Sequence, residues 1–276
     1  MDGDALRPDR HAALAAWAAR VRANREQVDR LREMGDGDFY APVATLFRFD
    51  PARADDPLAR ALEALVRPDD VVLDIGAGGG RYAVPLARVA RHVIALDPSP
   101  AMLALLRAGV VETALENIEV VEARWPVPPL ERPSPEADVA LMVSVAHDIE
   151  DIGGFLEAME RAARRLCVAV LLEVPPPYEV DALWPRVHGE PRATLPALPE
   201  FLALQLARGR LCEVRLLERP STLADPAVLL ARARRMLWVR EGSAKDRALL
   251  ELLAEPRPPA RAVRLGVVSW IAPPRA

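Results

Sequence analysis

The sequence predicts an α/β fold: a doubly wound, mostly parallel sheet of seven strands whose last two strands form an antiparallel edge. Three observations lead there. From Val71 onward, short apolar runs alternate with helical segments, the pattern of βαβ units. The stretch "VLDIGAGGGRYAVPLARVARHVIALDPSP", Val72 to Pro100, holds four glycines in five positions between two apolar runs. Hydrophobic residues make up 51% of the 276, enough for a large core.

The elements follow in order. Residues 10–34 carry alanine, leucine and valine at three- and four-residue spacing, which predicts a helix broken by "GDGDF". A second helix covers 57–67 and ends before Pro68. Strands are expected at 71–75, 92–97, 118–122, 137–143, 166–174, 213–218 and 263–271, with helices starting near Arg81, Pro100, Ile152 and Pro199. Ser99 before Pro100 is a good helix start, a capping hydroxyl followed by proline at the first helical position. Two stretches fall outside the alternation. Residues 175–198 are proline-rich and contain Tyr178, Trp184, His188 and Arg192; residues 225–255 are helical. The division expected is an N-terminal helical cap over 1–56 and one α/β domain over 57–276. The two extra stretches then serve as cover segments over the carboxyl edge of the sheet, where ligands of such folds bind.

Composition narrows the function. The net charge is −4 with no basic block, which argues against a nucleic-acid binder. Cys167 and Cys212 lie far apart in apolar runs and read as reduced core residues, and no His/Cys cluster suggests a metal. The start "MDGDALRPDR" is charged and lacks the apolar stretch expected of a signal peptide, and no run approaches the roughly 18 apolar residues of a membrane span. A cytoplasmic location is expected.

The glycine run needs a ligand beside the backbone. Asp74, Gly76, Gly78 and Gly80 follow an apolar strand and precede a helix, so a tight turn is allowed and no Cβ blocks an approaching group. Asp97, ending the next strand, stands where a carboxylate accepts both ribose hydroxyls of a nucleoside. A nicotinamide fingerprint fails, because GxGxxG counted from Gly76 ends on Arg81 and counted from Gly78 ends on Ala83. The pattern present is DxGxGxG, whose leading carboxylate would repel a pyrophosphate and suits a ligand with a cationic amino-acid portion.

This pair of stretches resembles the first two motifs of class I S-adenosylmethionine-dependent methyltransferases, loosely over residues 57–220. The resemblance implies a Rossmann-like fold and S-adenosylmethionine as cofactor, with S-adenosylhomocysteine as product. It places Asp74, Gly76, Ala77, Gly78 and Gly80 under the methionine part, Asp97 on the ribose, and Pro98 and Met102 beside the adenine. In "VVEARWP", backbone groups at Ala123 and Arg124 would read the adenine, with Trp125 either packing nearby or in the core. Ser144 falls near the cofactor. The N/D-PP-Y/F/W motif of base- and glutamine-methylating enzymes is absent after the fourth strand, and so is the usual glycine turn before the fifth.

Methyl transfer needs alignment of the acceptor, exclusion of water and sometimes proton removal. His147, followed by Asp148, sits where an acceptor would meet the methyl group; the alternative is a structural role capping the next helix. His188 and Trp184 in the cover, and Tyr40 before the sheet, are further substrate candidates, each with a packing alternative. The resemblance thus implies transfer to an oxygen or nitrogen of a small-molecule acceptor. Two other readings stay open: a methyltransferase for RNA or protein, and a cofactor-binding protein without transferase activity.

Overall fold

A computed structural model describes residues 8–35, 41–51, 56–128, 135–176, 180–219, 226–256 and 262–274. Seven strands form one sheet: β1 (Val71–Ile75), β2 (His92–Asp97), β3 (Ile118–Glu122), β4 (Ala137–Val143), β5 (Ala163–Leu172), β6 (Glu213–Arg219) and β7 (Val263–Ile271). Their order is β3-β2-β1-β4-β5-β7-β6. The first five are parallel, while β7 runs antiparallel to both β5 and β6. The antiparallel strand is therefore the last in sequence, and it sits inside the sheet with β6 at the edge.

Chain order reverses at β1, which has β2 on one side and β4 on the other. The loops after β1 and β4 leave the sheet at the same crevice, the switch point at which such folds bind ligands. Helices α2 (Pro57–Glu63), α3 (Ala83–Ala87) and α4 (Pro100–Thr113) cover one face. Helices α1 (Arg10–Leu31), α5 (Ile152–Ala162) and α7 (Leu198–Ala207) cover the other. The strands between them are buried on both sides, which is why they read as near-continuous apolar runs.

The predicted boundaries hold for β1 to β4 and β7 and shift elsewhere. The first helix stops at Leu31 because Arg32 is already extended, and the second at Glu63, where a turn begins. Strand β5 begins at Ala163, three residues before the position expected from its apolar run. The reason also explains the missing glycine turn: the residue after α5 is extended (Ala163, φ −81°, ψ 138°), so helix passes directly into strand with no left-handed residue.

Helix α1 starts at Asp9, whose side chain accepts the Ala12 amide at 2.7 Å. Trp17, Val21, Asn24 and Val28 form a buried stripe at helical spacing. Trp17 and Val21 join the core under α5 and α7, whereas Val28 belongs to a second, smaller core. That core collects Val180, Trp184 and Val187 around α6 (Trp184–His188) with Leu229 of α8 (Pro226–Met236), Leu237 in the turn after it and Leu249 of α9 (Ala244–Ala254). Both stretches outside the alternation thus meet in one helical cap at the end of α1. Trp184 is its fully buried centre, and truncation to alanine is expected to cost roughly 3–5 kcal/mol.

Candidate active site at the switch point

The loop after β1 is shaped by backbone that other residues resist. Gly76, Gly78 and Gly80 have φ of +76°, +56° and +85°. A Cβ on Gly76 would lie 2.5 Å from Val145 of the β4 loop, so the two loops touch. Amides of Gly76 and Ala77 both donate to Leu96 O, at 2.8 and 3.0 Å, which pins the loop against the end of β2.

Asp97 completes this arrangement. Its side chain accepts the Gly78 amide at 2.9 Å and the Ser99 amide at 2.8 Å. Ser99 in turn caps α4 by accepting the Met102 amide at 3.2 Å. Asp97 is 8% exposed and Asp74 only 2%. Burial, with the Asp97 charge beside it, pushes the Asp74 carboxyl up to about 7 from its usual 3.8. Two carboxylates share one glycine loop, an electrostatic excess that a cationic ligand would relieve.

The remaining candidates fall into groups. Met102 is buried, with its sulfur 3.8 Å from the position of a Cβ on Gly78, while Pro98 is exposed at the turn. Arg124 is exposed, and the Ala123 amide donates to Asp97 O at 3.3 Å. Trp125 lies in the core, its indole donating to Phe155 O of α5 at 3.3 Å, so its ring packs and does not face solvent. Ser144 has φ +58°, a strained conformation for serine at the carboxyl end of β4, and its amide donates to Val170 O at 2.9 Å. Tyr40 lies outside the described residues.

His147 is 3% exposed in a short 3₁₀ turn, Ala146–Asp148. Its Nδ1 lies 2.8 Å from Pro196 O, which fixes Nδ1 as the protonated nitrogen in the neutral ring. Nε2 lacks a hydrogen-bond partner among the described residues. Burial holds the imidazole below its usual pKa and so in the neutral form. It does not cap α5: Asp151 does, accepting the Gly154 amide at 3.0 Å. Asp148 is exposed. Trp184 and His188 stack in the cap with ring centroids 4.2 Å apart, joined to the site through the strap 189–197 that carries Pro196.

Two features escaped sequence reasoning. Residues 41–49 lie across the glycine loop: the Phe49 amide donates to Gly79 O at 3.3 Å, and a Cβ on Gly79 would meet Phe47 O at 2.8 Å. The fourth glycine, Gly79, is thus required by this overlying segment. Arg81, the residue that broke the nicotinamide fingerprint, pairs with Asp56 at 2.7 Å and ties the loop to the start of α2. Among the described residues no group of His, Cys, Asp and Glu is placed to hold a metal ion, and no helix is long and apolar enough to cross a membrane.

Comparison with known proteins agrees with this geometry. Residues 72–165 match the family model of the methyltransferase domain. Protein-L-isoaspartate O-methyltransferase of Methanoregula boonei is 44% identical over 89 residues, 32% of this chain and 41% of that protein. Ubiquinone biosynthesis O-methyltransferase of Paramagnetospirillum magneticum is 28% identical over 149 residues, 49% of this chain and 56% of that one. The chain thus spans about half or less of the length of these curated relatives. Among solved structures, the YcgJ protein of Bacillus subtilis superposes with TM-score 0.56 at 17% identity, over 77% of this chain and 97% of its own. The magnesium protoporphyrin IX methyltransferase of Synechocystis PCC 6803, solved with bound S-adenosylhomocysteine, gives TM-score 0.50 at 14% identity over 96% of this chain and 100% of its own. Residues 72–165 thus match the methyltransferase domain, and the sheet built around them has the Rossmann-like fold of these solved structures.

Proposed function

We propose that the protein transfers a methyl group from S-adenosylmethionine to an oxygen or nitrogen of a small-molecule acceptor, in the cytoplasm. One observation carries the reading: a DxGxGxG loop braced by Asp97, at the switch point of a sheet whose residues 72–165 match the methyltransferase domain. The residues fit that cofactor. The positive φ of Gly76 and Gly78 shapes a loop that other residues resist, Asp97 offers carboxylate oxygens to the ribose, and buried Asp74 adds negative charge for the methionine ammonium. When bound, the cofactor supplies an electrophilic methyl carbon on a sulfonium.

The chain's own work is placement and proton removal. The loops after β1 and β4 touch at Gly76 and Val145, two residues before His147, which supports a role for His147 beside the glycine loop. With Nδ1–H committed to Pro196 O, the lone pair on His147 Nε2 is the atom that takes the acceptor's proton. Segment 41–49 lies over the glycine loop and shields that side of it from water. The absence of a basic block and of the N/D-PP-Y/F/W motif supports a small acceptor over RNA.

Methyl transfer from labelled S-adenosylmethionine tests the acceptor class. Small phenols, amines and carboxylic acids are screened beside bulk RNA and protein. Label entering a small molecule upholds the reading; label entering only RNA or protein rejects it.

A further inference from the structure

Arg208, whose side chain is 2% exposed, donates twice to Glu160 at 3.1 Å and once to Gln205 at 2.7 Å. Arg192 is buried almost as deeply, at 7%, and is matched only weakly. Its nearest carboxylate, Asp181, stands 3.8 Å from Nε, beyond hydrogen-bond range, and Nη2 reaches Met236 O only at 3.5 Å. Nη1 has no hydrogen-bond partner among the described residues.

The guanidinium lies 4.4 Å from the ring centroid of Trp184, whose indole Nε1 is likewise unpartnered. Trp184 stacks on His188, which is tied through Nε2 to Leu237 O at 2.8 Å and leaves Nδ1 unpartnered. Arg192 Nη1 and the Trp184 indole N–H, two buried donors without acceptors beside one ring pair, are complementary to an anionic oxygen group. Desolvation, only partly offset by the Asp181 charge, pulls Arg192 down to about 10.

Position links the stack to the crevice. Gln27 of α1 holds the strap by donating to Pro191 O and accepting the Ala193 amide, both at 2.7 Å. Arg192 lies between these anchored residues and turns its side chain into the cap. Four residues on, Pro196 O holds His147, so the two Cα positions on the strap are at most about 14 Å apart.

We propose that the cap contains an anion subsite built on Arg192 and Trp184, and that it seats a carboxylate or phosphate of the acceptor while the acceptor's other end reaches His147. Assigning the anion to the acceptor rests on the methyl-transfer reading. The subsite atoms are shielded from solvent, so the anion enters as the cap loosens.

The test is thermal unfolding of wild type and Arg192→Met in sodium phosphate, acetate, benzoate and chloride at matched ionic strength. Phosphate or a carboxylate is expected to raise the wild-type Tm by about 3 °C over chloride at ten times its Kd. Arg192→Met is expected to lose that shift while melting in chloride no lower than wild type, because an under-paired buried charge contributes little stability. A phosphate-only response identifies a phosphorylated acceptor; a carboxylate-only response identifies an acid. No shift beyond chloride, an equal shift in the variant, or a variant that melts far below wild type overturns the subsite. Titration of wild type with S-adenosylhomocysteine separates the two ideas. Anion response without nucleoside binding keeps the subsite and rejects the acceptor assignment; nucleoside binding without anion response rejects the subsite alone.

Discussion

Asp97 holds Gly78: the carboxylate accepts the Gly78 amide at 2.9 Å and, through its other oxygen, the Ser99 amide at 2.8 Å. One side chain therefore sets the shape of the glycine loop and the start of α4. Asp97→Ala is expected to lower S-adenosylhomocysteine affinity by at least about 30-fold, roughly 2 kcal/mol for lost charge-assisted bonds. Asp97→Asn should fall between, since its amide oxygen still accepts from one amide. Calorimetric titration measures both, and affinity unchanged in the alanine variant would mean that the ligand binds elsewhere.

Asp74 makes stability depend on pH in a defined direction. Its carboxyl titrates near 3.8 when unfolded and about 7 when folded. Between those values the folded state holds the extra proton, so its contribution weakens as pH rises and reaches its full penalty above 7, a few kcal/mol in order of magnitude. Asp74→Asn should gain stability over wild type as pH climbs from 4 to 8, yet bind the cationic cofactor less well. Urea midpoints across that range decide it; a difference constant with pH contradicts the assignment.

His147 behaves in the opposite sense. Its folded pKa lies below the usual 6.5, so the unfolded chain gains a proton first and stability falls as pH drops through 6.5. Once an acceptor is known, His147→Ala should reduce kcat by about 100-fold or more while S-adenosylhomocysteine still binds. Wild-type kcat should hold below pH 6.5, where an ordinary histidine would already be protonated. Undiminished turnover in the variant would make His147 only a link between the β4 turn and the strap.

Glu160 tests the scaffold apart from the site. It accepts from Arg208, Arg210 and the Trp270 indole at 2.9–3.1 Å, where α5 meets β7. Glu160→Gln leaves two cations short of a partner and should cost about 3–5 kcal/mol in urea unfolding. Cofactor affinity should be retained, since this network does not touch the loops after β1 and β4.

Strands β1, β2, β4 and β5 were legible in the sequence because they are buried on both faces, and length with apolar content then marks them. Asp74, the glycines and Asp97 were legible because a ligand-bearing turn demands unusual residues at fixed spacing. Segment 41–49 was not, since its hold on Gly79 runs through backbone atoms that leave no side-chain signature. The partner of His147 was equally hidden: Pro196 O is a carbonyl 49 residues away, and no local pattern announces it. Trp125 shows the same limit, because an aromatic after a strand packs inward or faces a ligand according to a distant helix, here Phe155 O of α5. The glycine absent before β5 is accounted for by a direct helix-to-strand join at Ala163, which no apolar pattern marks.

Calorimetric titration of the wild-type protein with S-adenosylmethionine and S-adenosylhomocysteine, with NAD as control, bears most directly on the central claim. Saturable binding of both, lost in Asp97→Ala, with none of NAD, is the result predicted. Binding of NAD, or of neither nucleoside, would contradict the assignment of the switch-point crevice to S-adenosylmethionine.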